Sequence, residues 1–361
     1  MNSISDVTKL ALDELFSGNI TSFQKIIIDK VHRDDPIDKE GLLKPHYRQF
    51  LLHRYRFSSL LRKKIIESAY TQNVPLSSNE RKVLFLSGLI GSDNNLTAQG
   101  KLKAVELSPQ HAQAELLGID VDKHWIKPCR KGDLEINILS QYVNEGFQGN
   151  FDEGRLLRSA CRAFIYSSRR YFHEISLTER GEELVENHWK GSRYFDYVFE
   201  ILMSNGPRAF RLEDYSLYLD LDMSGVLQFK KHLKELVNKS IALTSLNDYL
   251  LDVETISKDV PDASARNSKI FSFASDGIKV LIDIMGESDF RNLCRSLIEN
   301  NMGLFYGWPD LTLYDNRGLH LVEVKGPKDK LNYAQVELID WFVNQYKGEN
   351  ISVKLALVSF I

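Results

Sequence analysis

The chain has 361 residues, of which 43% are hydrophobic and 26% are charged. These values are close to the average for globular proteins, so we expect a folded protein of two or three domains and exclude a disordered or collagen-like chain. The 46 basic and 49 acidic residues give a net charge of -3 at pH 7. This charge excludes a uniformly basic surface for nonspecific nucleic-acid binding, although it leaves room for a local basic groove.

The cysteines and the N-terminal segment indicate a cellular compartment. The three cysteines are isolated and form no CxxC pair, so we predict neither a structural zinc site nor a disulfide framework, and a reducing compartment fits. Residues 1–16, MNSISDVTKLALDELF, predict an amphipathic helix rather than a signal peptide. No apolar run is long enough to span a membrane. We therefore expect a cytoplasmic protein, or a nuclear one in a eukaryote, without a membrane partner.

The sequence pattern of residues 1–132 predicts a first, mainly helical domain. Apolar residues recur with helical spacing at 10–16 and 50–66, and the second stretch carries a cluster of basic residues. Such a cluster either contacts phosphates or forms a solvated helix face. Ser77 predicts the start of a further helix, and the turn-rich segment 88–100 follows it. These elements allow a winged helix-turn-helix that binds DNA, although many small helical domains share the pattern.

Residues 133–361 predict a second region, which begins with a helix at Leu134–Tyr142 and a glycine-punctuated loop at 146–154. A long helix then begins near residue 155. Four arginines spaced by three, four and seven residues share one face of it. They are Arg155, Arg158, Arg162 and Arg169. Because no acidic residues interrupt this stripe, it predicts either a surface that binds DNA phosphates or a solvated helix face.

In the rest of the second region, the sequence pattern predicts two further units. Residues 196–255 predict a helical module, which is either a second helix-turn-helix or scaffold, and 258–269 has the composition of a linker. Residues 270–361 predict, in order, helices, a β-hairpin, a helix that begins at Asn332, and a final strand. This order predicts an α/β fold with a small mixed sheet flanked by helices.

The predicted hairpin concentrates charged residues within apolar strands. Side chains alternate along a strand, so Glu323 and Lys325 point to one face, and the hairpin brings Asp310 near Glu323. Charges in such a position are costly unless they are paired or bind a metal. Two carboxylates can hold a hard divalent cation that activates water against a phosphodiester, and Lys325 can stabilise the developing charge. Gln335 lies on the apolar face of the next helix, where either an active-site group or a nearby backbone group satisfies its amide.

The string WPDLTLYDNRGLHLVEVKGPKDKLNYAQ, residues 308–335, resembles the VRR-nuc family of PD-(D/E)xK nucleases. Within that family it is most similar to the catalytic region of the Fanconi-associated nucleases. The residues that carry the resemblance are Pro309-Asp310-Leu311, Val322-Glu323-Val324-Lys325-Gly326-Pro327, Asp329-Lys330-Leu331 and Gln335. A shorter upstream likeness lies at Gly146-Phe147 and Glu153-Gly154.

The resemblance implies a restriction-endonuclease-like fold and a metal centre. It implies that Glu153, Asp310, Glu323 and the carbonyl oxygen of Val324 bind Mg²⁺ or Mn²⁺, and that Lys325 is the catalytic lysine. The four arginines of the stripe, together with Lys328 and Lys330, are then candidates to hold the DNA backbone, which gives a grip independent of sequence.

Together these features predict a metal-dependent, structure-selective DNA endonuclease that cuts flapped or branched DNA in repair or DNA processing. A Holliday-junction resolvase, which would act as a homodimer, and a defence nuclease are alternatives within the same chemistry. A non-catalytic winged-helix DNA-binding protein is an alternative of another class. The intact set of Asp310, Glu323 and Lys325 argues against this last alternative, because buried charges without a function are costly to retain.

Overall fold

The computed structural model describes residue 48 and residues 57–71, 74–130, 133–174, 201–202, 222–259, 275–300, 307–346, 348 and 350–361. The α-helices among them are α1 (Ser59–Tyr70), α2 (Ser78–Leu86), α3 (Ala98–Leu107), α4 (Gln110–Leu117), α5 (Leu134–Asn144), α6 (Arg155–Ser167), α7 (Met223–Leu243), α8 (Leu246–Asp259), α9 (Asp276–Met285), α10 (Glu287–Glu299) and α11 (Tyr333–Asp340). The strands are β1 (Asp120–Ile126), β2 (Gln148–Phe151), β3 (Leu311–Asp315), β4 (Gly318–Lys325) and β5 (Ile351–Phe360).

The strands form one mixed sheet in the order β1-β5-β4-β3-β2. β4 runs parallel to β5, and β5 runs parallel to β1, whereas β3 is antiparallel to both of its neighbours. Helices cover both faces of the sheet. The prediction of a small mixed sheet flanked by helices, the arrangement of a restriction-endonuclease-like fold, is confirmed.

The β3–β4 hairpin follows the sequence pattern closely. Asp315 pairs with Gly318 across a two-residue turn, and Asp315 Oδ1 accepts a hydrogen bond from Arg317 N at 2.8 Å. The hairpin register places Leu311 opposite Val322. Asp310 therefore stands directly before β3, next to Glu323 on the neighbouring strand.

Two strands were not predicted. β1 lies inside the region predicted to be helical, and it pairs with β5 more than 200 residues away. β2 lies inside the glycine-punctuated loop and forms an edge of the sheet beside β3. The proposed division at residue 132 thus separates β1 from the other strands of the sheet to which it belongs.

The apolar core is divided by the sheet. One face, which includes Leu321 and Leu355, packs against a large cluster built mainly from α6 to α11. The other face, which includes Val322 and Val324, packs against α5. A separate cluster joins α1, α2 and α3, and it touches α11 through the buried Tyr333. These contacts fix the ends of α5, α6 and α11 around one edge of the sheet.

The helical module predicted at 196–255 is described from residue 222, apart from 201–202, and there it is helical. α7 begins after Asp222, whose side chain accepts a hydrogen bond from Gly225 N at 2.7 Å and so caps the helix. The linker predicted at 258–269 lies outside the described residues beyond 259. None of the helices that the structure describes is sufficiently long and apolar to cross a membrane.

Candidate active site

Two strands end, and a third strand and a helix begin, at one edge of the sheet, where the strand ends lie. Because β2 and β4 both run antiparallel to β3, the last residues of β2 and β4 lie beside the first residue of β3. α6 begins four residues after β2 ends. Asp310, Glu323, Lys325 and Glu153 therefore all lie at this edge.

Asp310 and Glu323 form the centre of the site. Asp310 Oδ2 accepts a hydrogen bond from the backbone nitrogen of Val324 at 2.9 Å. Glu323 is only 1% exposed, and its Oε1 accepts from Lys325 Nζ at 2.7 Å and from Gln335 Nε2. Its other oxygen, Oε2, is buried and has no hydrogen-bond partner within the described part of the chain. One oxygen of a buried carboxylate thus lacks a described hydrogen-bond donor.

The electrostatics of the pair follow from burial and like charge. Burial, strengthened by the neighbouring carboxylate of Asp310, raises the pKa of Glu323 to about 8. Burial also raises the pKa of Asp310 to about 6, while the Val324 backbone and Lys325 act in the opposite direction. Two carboxylates held together out of water resist ionisation, and a cation between them would relieve that cost.

The side-chain amide of Gln335 bonds both to an active-site group and to a nearby backbone group, which are the two alternatives that the sequence left open. Its side-chain oxygen accepts from the backbone nitrogen of Asn332 at 3.0 Å, and Asn332 Oδ1 accepts from the Gln335 nitrogen at 3.1 Å. This reciprocal pair caps the start of α11. Because the cap holds its oxygen, the amide nitrogen of Gln335 is directed at Glu323 Oε1. One side chain thereby ties the helix start to the acidic pair.

Glu153 is held beside Asp310 through the main chain. The backbone nitrogens of Asp152 and Glu153 lie 3.1 and 3.3 Å from the carbonyl oxygen of Asp310 and donate to it. Glu153 has a φ of 48° and Gly154 a φ of 70°, which is the left-handed region. A Cβ on Gly154 would lie 2.3 Å from the ring of Trp308, so only glycine fits there. This close approach fixes the loop that carries Glu153 against the segment that carries Asp310.

Asp152 is a positioning residue that the sequence reading missed. It is buried, and its carboxylate accepts from Thr312 Oγ1 at 2.6 Å, from Gly154 N at 3.0 Å and from Leu156 N at 3.1 Å. These bonds tie the start of α6 to β3. An aspartate shortly before a helix is a recognisable capping signal, and this signal could have identified it.

The oxygen atoms at this site have suitable chemistry for a hard divalent cation, but they are not assembled into a complete set of ligands. Carboxylate and carbonyl oxygens are the ligands that Mg²⁺ and Mn²⁺ prefer, and the unpartnered Oε2 of Glu323 is a free donor. Across the described ranges, however, no three His, Cys, Asp or Glu side chains come together in a metal-binding group. Asp310 and Glu323 are adjacent, while the side chain of Glu153 does not join them.

Two arginines of the stripe are less exposed than the sequence predicted. Arg158 and Arg162 are 5% and 7% exposed, so the alternative of a solvated helix face is wrong for them. Their predicted contact with DNA stays a prediction. Burial lowers the pKa of Arg158 to about 10, against the attraction of Asp152 and Glu153. Arg155 is half-buried near these acids. The sequence could not reveal this burial, because the cover comes from distant segments.

Arg169 is tied to a buried acid on another helix. Its NH2 lies 2.7 Å from Asp252 Oδ1, and Arg170 also binds this carboxylate. Arg169 is therefore occupied in the structure by a contact within the protein. Its predicted contact with DNA stays a prediction.

The loop after β4 carries the two predicted basic residues and is held by α4. Gln113 accepts from Leu331 N at 2.9 Å and donates to the Leu331 carbonyl at 3.1 Å, and Gln110 donates to the carbonyl of Gly326 at 3.1 Å. Lys328 and Lys330 are both exposed on this loop. Residues before 132 thus support a segment that directly follows Lys325.

Comparison with known proteins agrees with the C-terminal motif. Residues 268–360 match the family model of the VRR-NUC domain. The predicted resemblance to the VRR-nuc family is confirmed over these residues. The matched residues include Asp310, Glu323, Lys325 and Gln335, but they do not include Glu153 or the arginine stripe. No curated protein matches the chain.

Two solved structures are similar to the chain at low identity. One is paFAN1 bound to 1-nucleotide 5′-flap DNA with a gap, with 13% identity, a TM-score of 0.45, and 87% of this chain and 51% of that chain covered. The other is paFAN1 bound to 2-nucleotide 5′-flap DNA with a gap, with 12% identity, a TM-score of 0.43, and coverage of 99% and 62%. The chain thus spans between half and two thirds of those proteins.

Proposed function

We propose that this chain is a metal-dependent DNA endonuclease that hydrolyses phosphodiester bonds in flapped or branched DNA, in repair or DNA processing. The observation that carries the proposal is the buried pair of Asp310 and Glu323 beside Lys325, with one oxygen of Glu323 lacking a partner in the described structure. The pair lies within residues that match a nuclease family model.

Each residue of the site would have a separate role in the reaction. Asp310, Glu323 and the carbonyl oxygen of Val324 would hold Mg²⁺ or Mn²⁺, with Glu153 approaching from the adjoining loop. The bound ion would polarise the phosphodiester and lower the pKa of an attacking water. Lys325 would release part of its contact with Glu323 and offer its ammonium group to the negative charge that develops on the phosphate.

Gln335 would act as a positioning residue. Its amide nitrogen donates to Glu323 Oε1 and its oxygen is fixed in the helix cap. A carboxylate held through one oxygen in this way presents the other oxygen in a fixed direction, which is the use of supporting hydrogen bonds at metal sites.

The DNA backbone would lie on exposed basic residues near this edge. Lys328 and Lys330 are exposed beside the site, whereas Arg155, Arg158, Arg162 and Arg169 would need a change of side-chain position to reach a phosphate. Phosphate contacts of this kind hold DNA without reading its sequence. The helical residues before 132 would add further contacts.

A direct experiment incubates the full chain with labelled 5′-flap, 3′-flap, duplex, single-stranded and four-way-junction DNA. Each substrate is tested with Mg²⁺, Mn²⁺ or EDTA. The 5′ flap is included first because the two similar solved structures carry such DNA. Asp310→Ala removes a proposed ligand, and Asp283→Ala, an exposed aspartate on α9, is the matched control.

We expect cutting of flapped DNA that needs a divalent ion, is lost in Asp310→Ala and is kept in Asp283→Ala. Full cleavage by Asp310→Ala would overturn the proposal. Symmetric cutting of the junction alone, by a dimer, would favour the Holliday-junction resolvase. Tight DNA binding without any cleavage would favour the non-catalytic DNA-binding alternative.

A further inference from the structure

A cavity lies between α10 and the start of β5, at the opposite end of β4 from the acidic pair. Its volume is about 680 Å³, within the range of about 300–1,000 Å³ that is usual for small-molecule sites. Ile351, which lines the cavity, pairs with Leu319 at the start of β4, whereas Glu323 stands near the end of that strand. Residues 319 and 323 are roughly 13 Å apart along the strand, so the cavity is separate from the candidate active site.

One wall of the cavity is a face of α10 on which polar, uncharged side chains recur at helical spacing. Asn292, Ser296 and Asn300 lie on this face, each four residues from the next. Among the lining residues that the structure describes, Asp289 is the only charged one, and no lysine or arginine accompanies it. The cavity therefore does not suit a phosphate, which proteins hold with cations and backbone nitrogens. Its composition favours a neutral ligand that forms hydrogen bonds.

The opposite wall of the cavity is aromatic. It comes from the π-helical turn Trp341–Tyr346 that follows α11, in which the rings of these two residues lie 5.3 Å apart with 30° between their planes. Trp341 is buried, and a Cβ on Gly348 would overlap the ring of Tyr346. Neighbouring segments thus hold the aromatic pair in place. A planar, largely apolar ligand packs well against such a wall.

Hydrogen bonds within the protein orient the amides around the cavity. Arg295 NH1 donates to Asn292 Oδ1 at 3.3 Å, which leaves the amide nitrogen of Asn292 as a donor. Asn300 Nδ2 donates to a carbonyl oxygen of α10 at 2.8 Å, which leaves its side-chain oxygen as an acceptor. Gln345 Nε2 lies 3.4 Å from Asp340 Oδ2, and its oxygen is likewise an acceptor. The cavity thus offers donors and acceptors together on neutral groups.

We propose that this cavity binds an unpaired nucleobase, which packs against the aromatic wall and places its polar edge on the amides of α10. A nucleobase is planar and neutral, and its edge presents donors next to acceptors. Asparagine and glutamine pair in this way with the amino group and ring nitrogen of adenine, and aromatic side chains stack on unpaired bases. The choice of ligand rests on the proposed function, because flapped DNA exposes unpaired bases. The base belongs either to such a strand or to a free nucleoside.

The test measures nucleoside binding by the full chain in EDTA, without cleavage. Deoxyadenosine is titrated by calorimetry into the wild type, Asn292→Leu, Ser296→Phe, Ser288→Phe and Asp310→Ala. Ser296→Phe fills the cavity, whereas Ser288→Phe adds the same ring at an exposed position of α10 outside it. Deoxyribose 5-phosphate, which lacks a base, is the matched control ligand. The thermal midpoint of each variant is recorded, so that affinities are compared among folded proteins.

We expect deoxyadenosine to bind the wild type, Ser288→Phe and Asp310→Ala with equal affinity. Asn292→Leu should weaken binding by about tenfold, because one polar group of the base then lacks its partner. Ser296→Phe should abolish binding, and deoxyribose 5-phosphate should not bind. Displacement of deoxyadenosine by a short oligo(dA) strand would support a base from single-stranded DNA. A failure of the strand to displace it would support a free nucleoside as the source of the base.

Three results would overturn this inference. They are the absence of binding by the folded wild type at millimolar deoxyadenosine, equal binding by the wild type and Ser296→Phe, and binding of deoxyribose 5-phosphate as strong as that of deoxyadenosine. The failure of the proposed function looks different. A chain that cuts no DNA but binds deoxyadenosine as expected would overturn the proposed function and leave the nucleobase site standing.

Discussion

Two buried acids in this protein have the same exposure and opposite surroundings. Asp252 and Glu323 are each 1% exposed. Asp252, on α8, is bound by Arg169, Arg170 and the hydroxyl of Ser167, which donates at 2.5 Å. Glu323 has one oxygen bound by Lys325 and Gln335 and the other without a described partner.

The pKa values of the two acids move in opposite directions. Burial tends to raise both, but hydrogen bonds from two arginines and a serine hold the pKa of Asp252 below its usual range. For Glu323 burial and the adjacent Asp310 raise the pKa to about 8. Burial is therefore not what separates these two acids. They differ in whether both carboxylate oxygens have described hydrogen-bond partners.

The largest effect on stability is expected at the saturated acid. Asp252→Asn leaves two arginine groups around an uncharged side chain, which should lower the free energy of unfolding by about 3 kcal/mol. We take the lower end of the range for buried ion pairs because both arginines are partly exposed, at 23% and 32%. Urea denaturation of the metal-free protein measures the change, and a loss below about 1 kcal/mol would contradict the comparison.

The same variant has a defined pH dependence. A carboxyl whose pKa is lowered in the folded state stabilises the fold above its unfolded pKa, near 3.8, and that contribution is lost as the pH falls further. The gap in stability between wild type and Asp252→Asn should therefore be full at pH 6 and shrink below about pH 4. A gap that widens in acid would contradict the assignment.

A smaller loss is expected where the loop of Glu153 meets the segment of Asp310. Gly154→Ala adds a Cβ against Trp308 in a left-handed conformation, which should cost about 2 kcal/mol. Gly118→Ala is the matched control, since Gly118 has a φ of 66° and no described atom within 4 Å of the added carbon. Equal losses in thermal unfolding would mean that the contact with Trp308 does not matter.

The third buried acid, Asp152, allows a finer comparison. Thr312→Val removes one of its three hydrogen bonds and keeps the shape of the side chain, which should cost about 1.5 kcal/mol. Thr312→Ser retains the hydroxyl and should cost less. The difference in the free energy of unfolding between the two variants, measured in denaturant, isolates the contribution of the hydrogen bond. A serine variant that is destabilised as much as the valine variant would assign the loss to packing.

The smallest expected effect has the opposite sign. Glu323→Gln is neutral at every pH, whereas Glu323, with a pKa of about 8, must take up a proton on folding at pH 7. The variant keeps an oxygen for Lys325 and Gln335 and turns a donor toward Asp310. The metal-free protein should gain about 1 kcal/mol of stability at pH 7. Set against Asp252→Asn, the same chemical change would then stabilise one site and destabilise the other. A loss of stability in Glu323→Gln would remove this distinction.

The sequence predicted the parts of the site that depend on neighbours in the chain. The β3–β4 hairpin, the shared face of Glu323 and Lys325, and the cap of Asn332 with Gln335 all follow from alternation, turn residues and capping chemistry within about 30 residues. These patterns are local, so one sequence suffices to read them.

The parts that failed depend on distant partners. β1, with the sequence DVDKHWI, carries no apolar alternation strong enough to predict a strand, and it becomes one by pairing with β5. Arg158 and Arg162 look solvent-exposed until the segments that cover them are known.

One measurement tests the central claim that the unsaturated acidic pair and its lysine form a catalytic centre. Single-turnover cleavage of a 5′-flap DNA with Mg²⁺ is compared for the wild type, Lys325→Met and Lys279→Met, the last being an exposed lysine on α9. We expect a loss of about 100-fold or more in Lys325→Met, with DNA binding retained and Lys279→Met unaffected. Cleavage by Lys325→Met at the rate of the wild type would contradict it.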